Sequence, residues 1–429
     1  MGTNHTSPSD RHKLVGRALV VVLLLAAVGV GWRWIEGAAA EPATIEREKA
    51  GKTQAEKEQP KGAAAVQTVR TLSQAGHKAE IGYVQVSPDS RWALILYLNH
   101  ELRLWDLEAG AFVIGYYFGP HISSAGFSGD GRRMVVADPH WVSVRDLASD
   151  GGWYRFEPCA SDPSDAVTWA FLSHDGKNVL VGCLRGQIGM WVADTGKLTR
   201  SFVDNEGNAR PAAVVGLTLL PDTFTLLSVD EHRTLKLWDI ATGQVLCRTS
   251  DHQLVTFSAA GGFVLLWQAR DRMLRTWDPK TCTLRDKTTA PPGIDDFWIT
   301  TPDGKRVLSR ENQSTLTVWD AANGNTLYRI QGRGPVFAFI TFSPDSRFML
   351  THDDGDGGLQ LRDATDGRVI RRFDVRFKHY LQLFGRVTFT SDGHRIWAVA
   401  PDGMLKGWDV ETGATVRSFP WRLPSGETK

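Results

Sequence analysis

The chemistry-bearing residues of this 429-residue chain are scattered along it. His352-Asp353-Asp354-Gly355-Asp356-Gly357-Gly358 places three carboxylates among glycines. That is the material of a calcium loop, because Ca²⁺ takes several oxygen ligands from a bendable backbone. The ligand spacing fits no standard loop, however, and the stretch reads as a lengthened hairpin turn with Asp356 as its structural acid. Gly51-Lys52-Thr53 has the end of a phosphate loop, but Glu46 stands where the first Gly belongs. Gly126-Phe127-Ser128-Gly129-Asp130 misses the nucleophile elbow at its last position. No His pair has metalloprotease spacing. The four cysteines, Cys159, Cys183, Cys247 and Cys282, show no metal or redox spacing. Cys183 and Cys247 sit in strand-like runs and read as small core residues, and no disulfide pair is predicted. No catalytic constellation, metal site or cofactor follows from these residues, so the chain reads as non-enzymatic.

The elements that must position any site are repeats. Residues 213–249 hold the cleanest copy, centred on Leu235-Lys236-Leu237-Trp238-Asp239. Four short alternating runs separated by turn residues predict four strands, none long enough for a helix. Trp-Asp recurs at Trp105-Asp106, Trp277-Asp278, Trp319-Asp320 and Trp408-Asp409, with degenerate copies at Arg145-Asp146, Trp191-Val192 and Arg362-Asp363. A second landmark keeps step: an Asp in the first hairpin turn, at Asp89, Asp130, Asp175, Asp222, Asp303, Asp345 and Asp392. Turn chemistry accounts for these acids, since an Asp side chain accepts local backbone hydrogen bonds. A third is the Gly four or five residues past the pair, at Gly110, Gly196, Gly243, Gly324, Gly367 and Gly413. A period of forty-odd residues with these marks suggests propeller blades.

On Phe342-Ser343-Pro344-Asp345, Leu237-Trp238-Asp239 and Thr242-Gly243 the chain resembles the WD40-repeat family over 66–421. The resemblance implies an all-β closed propeller of four-stranded antiparallel blades. Eight copies predict eight blades, with seven also open. The family's Gly-His element occurs once, at Gly76-His77. Its buried Asp of the second hairpin is expected at Asp271, Asp356 and Asp402, with Asn99, Arg185, His232 and Gln313 in its place elsewhere. The ring closes either through the run 66–72 or through 414–419. The repeat Trp residues fill the gap between twisted sheets, so Ala at Trp238 or Trp277 is expected to cost about 3–5 kcal/mol. Arg145 and Arg362 must instead find polar partners or leave their blades looser.

Ahead of the propeller come a short tail (1–13), an apolar run (14–35) and a charged, Ala-rich linker (36–65); residues 422–429 form a C-terminal tail. The run just reaches the roughly 20 residues needed to cross a bilayer. Arg11, Lys13 and Arg17 before it favour a cytoplasmic N-terminus and an extracytoplasmic propeller. Ala38-Ala39-Ala40 offers the alternative of a cleaved signal, with the propeller secreted or periplasmic. A formal net charge of +1 gives no basic face for nucleic acid.

The resemblance implies a rigid disc that presents loops to a protein or peptide partner; no cofactor is expected, and the apolar run 14–35 predicts membrane attachment through an N-terminal helix. Its oligomeric state is not legible. By blade geometry the binding face holds the turns before each third strand, and with them His100, Trp141, His232, Arg270 and Asp354. Trp141 either anchors a partner or covers a weak blade edge, and His232 either lines the face or caps its turn. The alternative function is an exported propeller enzyme or small-ligand protein with its site at the channel mouth.

Overall fold

The structure, a computed structural model, describes residues 81–420 except 98–100, 118–121, 150–151, 160–163, 205–211, 221–224, 258–262, 269, 272, 290–297, 313, 322, 333–339, 354–357, 377–386 and 401–403. The membrane run, the linker and the segment 66–72 lie outside the described residues, as do His100, Asp222, Asp354, Asp356 and Asp402.

The described residues form eight four-stranded antiparallel sheets, each from four consecutive strands paired in chain order. The blades span 81–117, 124–156, 167–202, 214–249, 253–289, 298–331, 340–376 and 387–420. The eight-blade reading therefore holds, and no helix occurs among the described residues. In blade 4 the register runs Leu226 opposite Trp238 and Leu237 opposite Cys247. The second strands are apolar on both faces because each sheet lies between two others. Trp92–Tyr97, for example, is buried throughout. Outer strands alternate instead, as in Val245–Thr249, where only Cys247 is buried.

The core consists of apolar clusters at the blade interfaces. One joins blades 1 and 2 through Leu94, Leu104, Phe127 and Met134. Another joins blades 7 and 8 through Leu361, Phe373, Phe389 and Trp408. The circle closes in a cluster of blades 1 and 8, where Ile95, Tyr97 and Trp105 meet Trp397, Leu405 and Phe419. Phe419 stacks on Trp105, with ring centres 5.5 Å apart. The C-terminal run supplies the outer strand of blade 8, Thr415–Pro420, paired to its own sheet.

The first hairpin turn is built alike in six blades. A Ser or Thr hydroxyl donates to the turn Asp and accepts the first N–H of the next strand. In blade 2, Ser128 Oγ lies 2.6 Å from Asp130 Oδ1 and 3.0 Å from the Arg133 nitrogen. Ser87–Asp89, Ser173–Asp175, Thr301–Asp303, Ser343–Asp345 and Thr390–Asp392 repeat the motif. In the third-to-fourth strand turn, Asp239 Oδ1 accepts the Thr242 N–H and hydroxyl at 2.6 and 2.8 Å. All six landmark glycines there have positive φ, which glycine adopts without Cβ strain. In blade 5 Cys282 takes this conformation, at φ 59°.

Two expectations are corrected and one alternative is decided. Cys183 and Cys247 are not free core residues: Cys159 pairs with Cys183 and Cys247 with Cys282, at Cα–Cα distances of 6.2 and 5.6 Å. The first bond ties the connection after blade 2 to the strand end at Cys183 in blade 3, and the second ties the outer strand of blade 4 to a turn of blade 5. Asp271 is not a buried acid; it pairs with Arg275 at the surface, Nη2 to Oδ2 2.5 Å. Of the two alternatives for Arg362, the structure gives the one with polar partners. That side chain is buried, and it donates to Thr351 Oγ1, the Gly367 carbonyl and Gln360 Oε1 at 3.0, 2.9 and 2.6 Å. Arg145 lies over the Tyr116 ring, 5.9 Å from its centre.

Candidate partner-binding face

Antiparallel strands alternate ends, so the second-to-third strand turns share one face with the connections between blades. Trp141, His232 and Arg270 all occupy this face, in blades 2, 4 and 5. Across blades 2 and 3 the loops are tied together. The Val167 N–H donates to the Pro139 carbonyl, and the Leu184 N–H to the Ala166 carbonyl, at 2.7 and 2.8 Å. Asp165 Oδ1 accepts the N–H groups of Ala166 and Arg185, both at 2.9 Å. The Cys159–Cys183 bond fixes the same connection from the other side.

Trp141 is half-buried. Asp138 Oδ1 accepts its N–H and that of His140, at 2.8 and 2.9 Å. The Asp138 carboxylate then pairs with Arg155, Nη2 to Oδ2 2.7 Å, and the Arg155 guanidinium lies 4.7 Å from the Trp141 ring centre. One side of the indole is thus taken by a cation–π contact. The turn of blade 4 is capped by Asp230, whose Oδ1 accepts the N–H groups of His232 and Thr234 at 2.9 and 2.8 Å. His232 itself projects exposed. Arg270 is exposed beside the Asp271–Arg275 pair, and that guanidinium holds the Asp271 carboxyl below its usual range. Leu184, 40% exposed, stands in the braced turn of blade 3.

Asp138, Arg155, Asp165, Asp230 and His252 belong to this face and were not singled out from sequence. Asp138-Pro139-His140 and Asp230-Glu231-His232 share an Asp-x-His pattern that would have found two of them. His252, buried after blade 4, has Nδ1 2.6 Å from the Ser250 carbonyl. Burial pushes its pKa down from the ordinary imidazole value.

No protein-family model matches the chain. Among curated proteins it is 25% identical to the small ribosomal subunit protein RACK1y of Oryza sativa subsp. japonica over 39% of this chain and 48% of that protein. It is 22% identical to apoptotic protease-activating factor 1 of Rattus norvegicus over 80% of this chain and 30% of that protein, and 20% identical to protein groucho of Drosophila melanogaster over 51% and 28%. These relatives are WD40-repeat proteins. The chain is similar to WD40-repeat proteins, and its described residues fold as an eight-bladed β-propeller. It spans less than half the length of each of these relatives. Two solved structures share the fold. The computationally designed Ika8 protein matches 80% of this chain and all of that one, with a TM-score of 0.56 at 20% identity. The dihydro-heme d1 dehydrogenase NirN matches 81% and 75%, with a TM-score of 0.57 at 17% identity. Trp238 Nε1 donates to Ser228 Oγ at 2.8 Å and Trp319 Nε1 to Ser309 Oγ at 2.9 Å, the same bond in blades 4 and 6. Trp105, Trp191, Trp277 and Trp408 are buried at the equivalent place. The pair acids Asp106 and Asp278 accept turn N–H groups, as does Asp409; Asp320 follows Trp319 in the same register.

Proposed function

We propose that this WD40 propeller is a non-catalytic docking platform for a protein or peptide. The binding surface is the face of the second-to-third strand turns, with its centre over blades 2 to 5. The observation that carries the reading is the bracing of blades 2 and 3, which holds Trp141, His140, Leu184 and Arg185 in fixed places through backbone bonds, the Asp138–Arg155 pair and a disulfide. A surface ordered before binding has little entropy left to lose on binding. Aromatic and Arg side chains are favoured contact residues at such surfaces. Trp141, His232 and Arg270 extend the surface toward blade 5.

The reading includes a tether. The apolar run 14–35 anchors the chain, and the linker 36–65 holds the propeller away from the bilayer on the extracytoplasmic side. Two disulfides support that side, because such bonds persist in oxidising compartments. Protease shaving of intact cells that leaves the propeller untouched would refute the placement.

In-cell crosslinking of the full-length protein, followed by mass spectrometry, tests the platform. A partner captured by the parent and lost from folded Trp141→Ala and His232→Ala variants is the expected result. Capture unchanged by both variants removes these residues from the surface. Absence of any specific protein turns attention to the enzyme or small-ligand alternative at the channel mouth.

A further inference from the structure

The Cys159–Cys183 bond has a third participant. A carboxylate oxygen of Asp165 and the two sulfurs all lie within 4.8 Å of one another, and all three residues are buried. Asp165 is 4% exposed. Its Oδ1 is held by the Ala166 and Arg185 N–H groups, while its buried Oδ2 accepts no hydrogen bond among the described residues. A carboxylate oxygen buried without a partner is costly, and native proteins keep few of them. Both cysteines belong to an apolar core cluster with Val142, Phe156, Val167 and Val181, whose side chains carry no hydrogen-bonding group.

We propose that, with the disulfide reduced, Cys159, Cys183 and Asp165 form a binding site for a borderline divalent cation of the Zn²⁺ class. Two thiolates and one carboxylate match the donors Zn²⁺ takes, and three protein ligands leave a fourth position for solvent. The balance is simple. Reduction by a thiol or phosphine adds two electrons and two protons to the disulfide, giving two thiols. Binding of the ion releases those two protons and leaves both sulfurs as thiolates. A thiol oxidant reverses the process by withdrawing two electrons, re-forming the S–S bond and expelling the ion. Ion and disulfide exclude each other because sulfurs sharing a tetrahedral Zn²⁺ at ~2.3 Å stand far beyond bonding distance from one another. Either state clamps the connection after blade 2 to the end of the strand Asn178–Cys183, and so fixes the same stretch of the binding face. The site does not depend on the docking function.

The test uses detergent-solubilised full-length protein with Cys247→Ser and Cys282→Ser, so that only this pair of thiols remains. After phosphine reduction and chelator treatment, Co²⁺ is titrated anaerobically, with circular dichroism as the fold control. The expected result is one equivalent bound, with thiolate-to-cobalt charge-transfer absorption, displaced by Zn²⁺ and absent from the oxidised protein. Asp165→Asn should weaken binding by at least ~10-fold. If that variant does not fold, Cys159→Ser decides, and it should lose the charge-transfer band. The proposal is overturned if the folded reduced protein gives no such band, if reduction itself unfolds the propeller, or if the deciding variant binds as the parent does.

Discussion

Arg362 stands where five other blades have Trp followed by Asp and a sixth has Trp followed by Val, and it fills that place by hydrogen bonding instead of bulk. Its bond to Thr351 Oγ1 is the counterpart of the Trp238 bond to Ser228 Oγ. Arg362→Leu would leave three buried acceptors without this donor and is expected to cost roughly 3 kcal/mol, within the range for lost hydrogen bonds from a charged group. Arg362→Trp supplies an indole N–H to Thr351 and should be the milder change. Urea unfolding of the two variants measures the order, and equal losses would contradict it. The turn carboxylates give a second prediction. Hydroxyl and backbone donors hold Asp175, Asp239, Asp278, Asp363 and Asp409 below the usual range; the largest causes are Ser173, Thr242, the Lys280 N–H, Thr365 and the Thr412 N–H. A depressed folded-state pKa contributes stability above the unfolded carboxylate value of about 4 and loses it as pH falls through the folded values. The melting temperature should therefore be level on the acid side down to about pH 5 and fall below about pH 4. An Asp239→Asn/Asp409→Asn variant should be less stable at pH 7 and show a shallower acid limb.

At the scale of the element, one turn motif is reused with different residues at its left-handed position. Blades 2 and 3 place Gly131 and Gly176 there, whereas blades 1 and 7 place Ser90 and Ser346, with φ of 61° and 62°. A residue with a Cβ is strained in this region. Ser90→Gly should relieve the strain and stabilise the protein by about 0.5 kcal/mol, the gain being reduced by the greater freedom of Gly in the unfolded chain. Ser346→Gly should give no gain, because Ser346 Oγ accepts the Asp303 N–H at 2.9 Å and so joins blades 6 and 7. Calorimetry on the pair separates the two effects; equal gains would mean that the inter-blade bond is worth nothing.

At the scale of the molecule, the ring closes by side-chain packing between blades 1 and 8, since each described sheet is made of consecutive strands. Phe419 is central, lying against both Trp105 and Trp397, with its ring 3.5 Å from where a Cβ on Gly110 would stand. Phe419→Ala should cost about 3–5 kcal/mol, as large-to-small core changes do. Hydrogen exchange should show the added opening at the blade 1–blade 8 junction ahead of the other interfaces. Uniform loss of protection around the ring would argue that no single junction is the weak one.

The sequence by itself determined the repeat, the strand count per blade, the blade number once each copy was found to fold, and the turn acids. These are local properties: alternation, turn residues and a landmark Gly act within a few residues of each other, so Phe342-Ser343-Pro344-Asp345 could be read without knowing its neighbours. Only the tertiary structure decided the rest. Cys159 and Cys183 are 24 residues apart, and Cys247 and Cys282 are 35 apart, with no spacing signal, because their meeting depends on how adjacent blades abut. Arg362 could not be assigned partners until Gln360, Thr351 and Gly367 were placed around it. Asp165 is an unremarkable acid in a connection until the strand end at Cys183 and the turn at Arg185 enclose it. Local rules fix each blade, whereas the chemistry lies between blades, where residues far apart in the chain are brought together by packing.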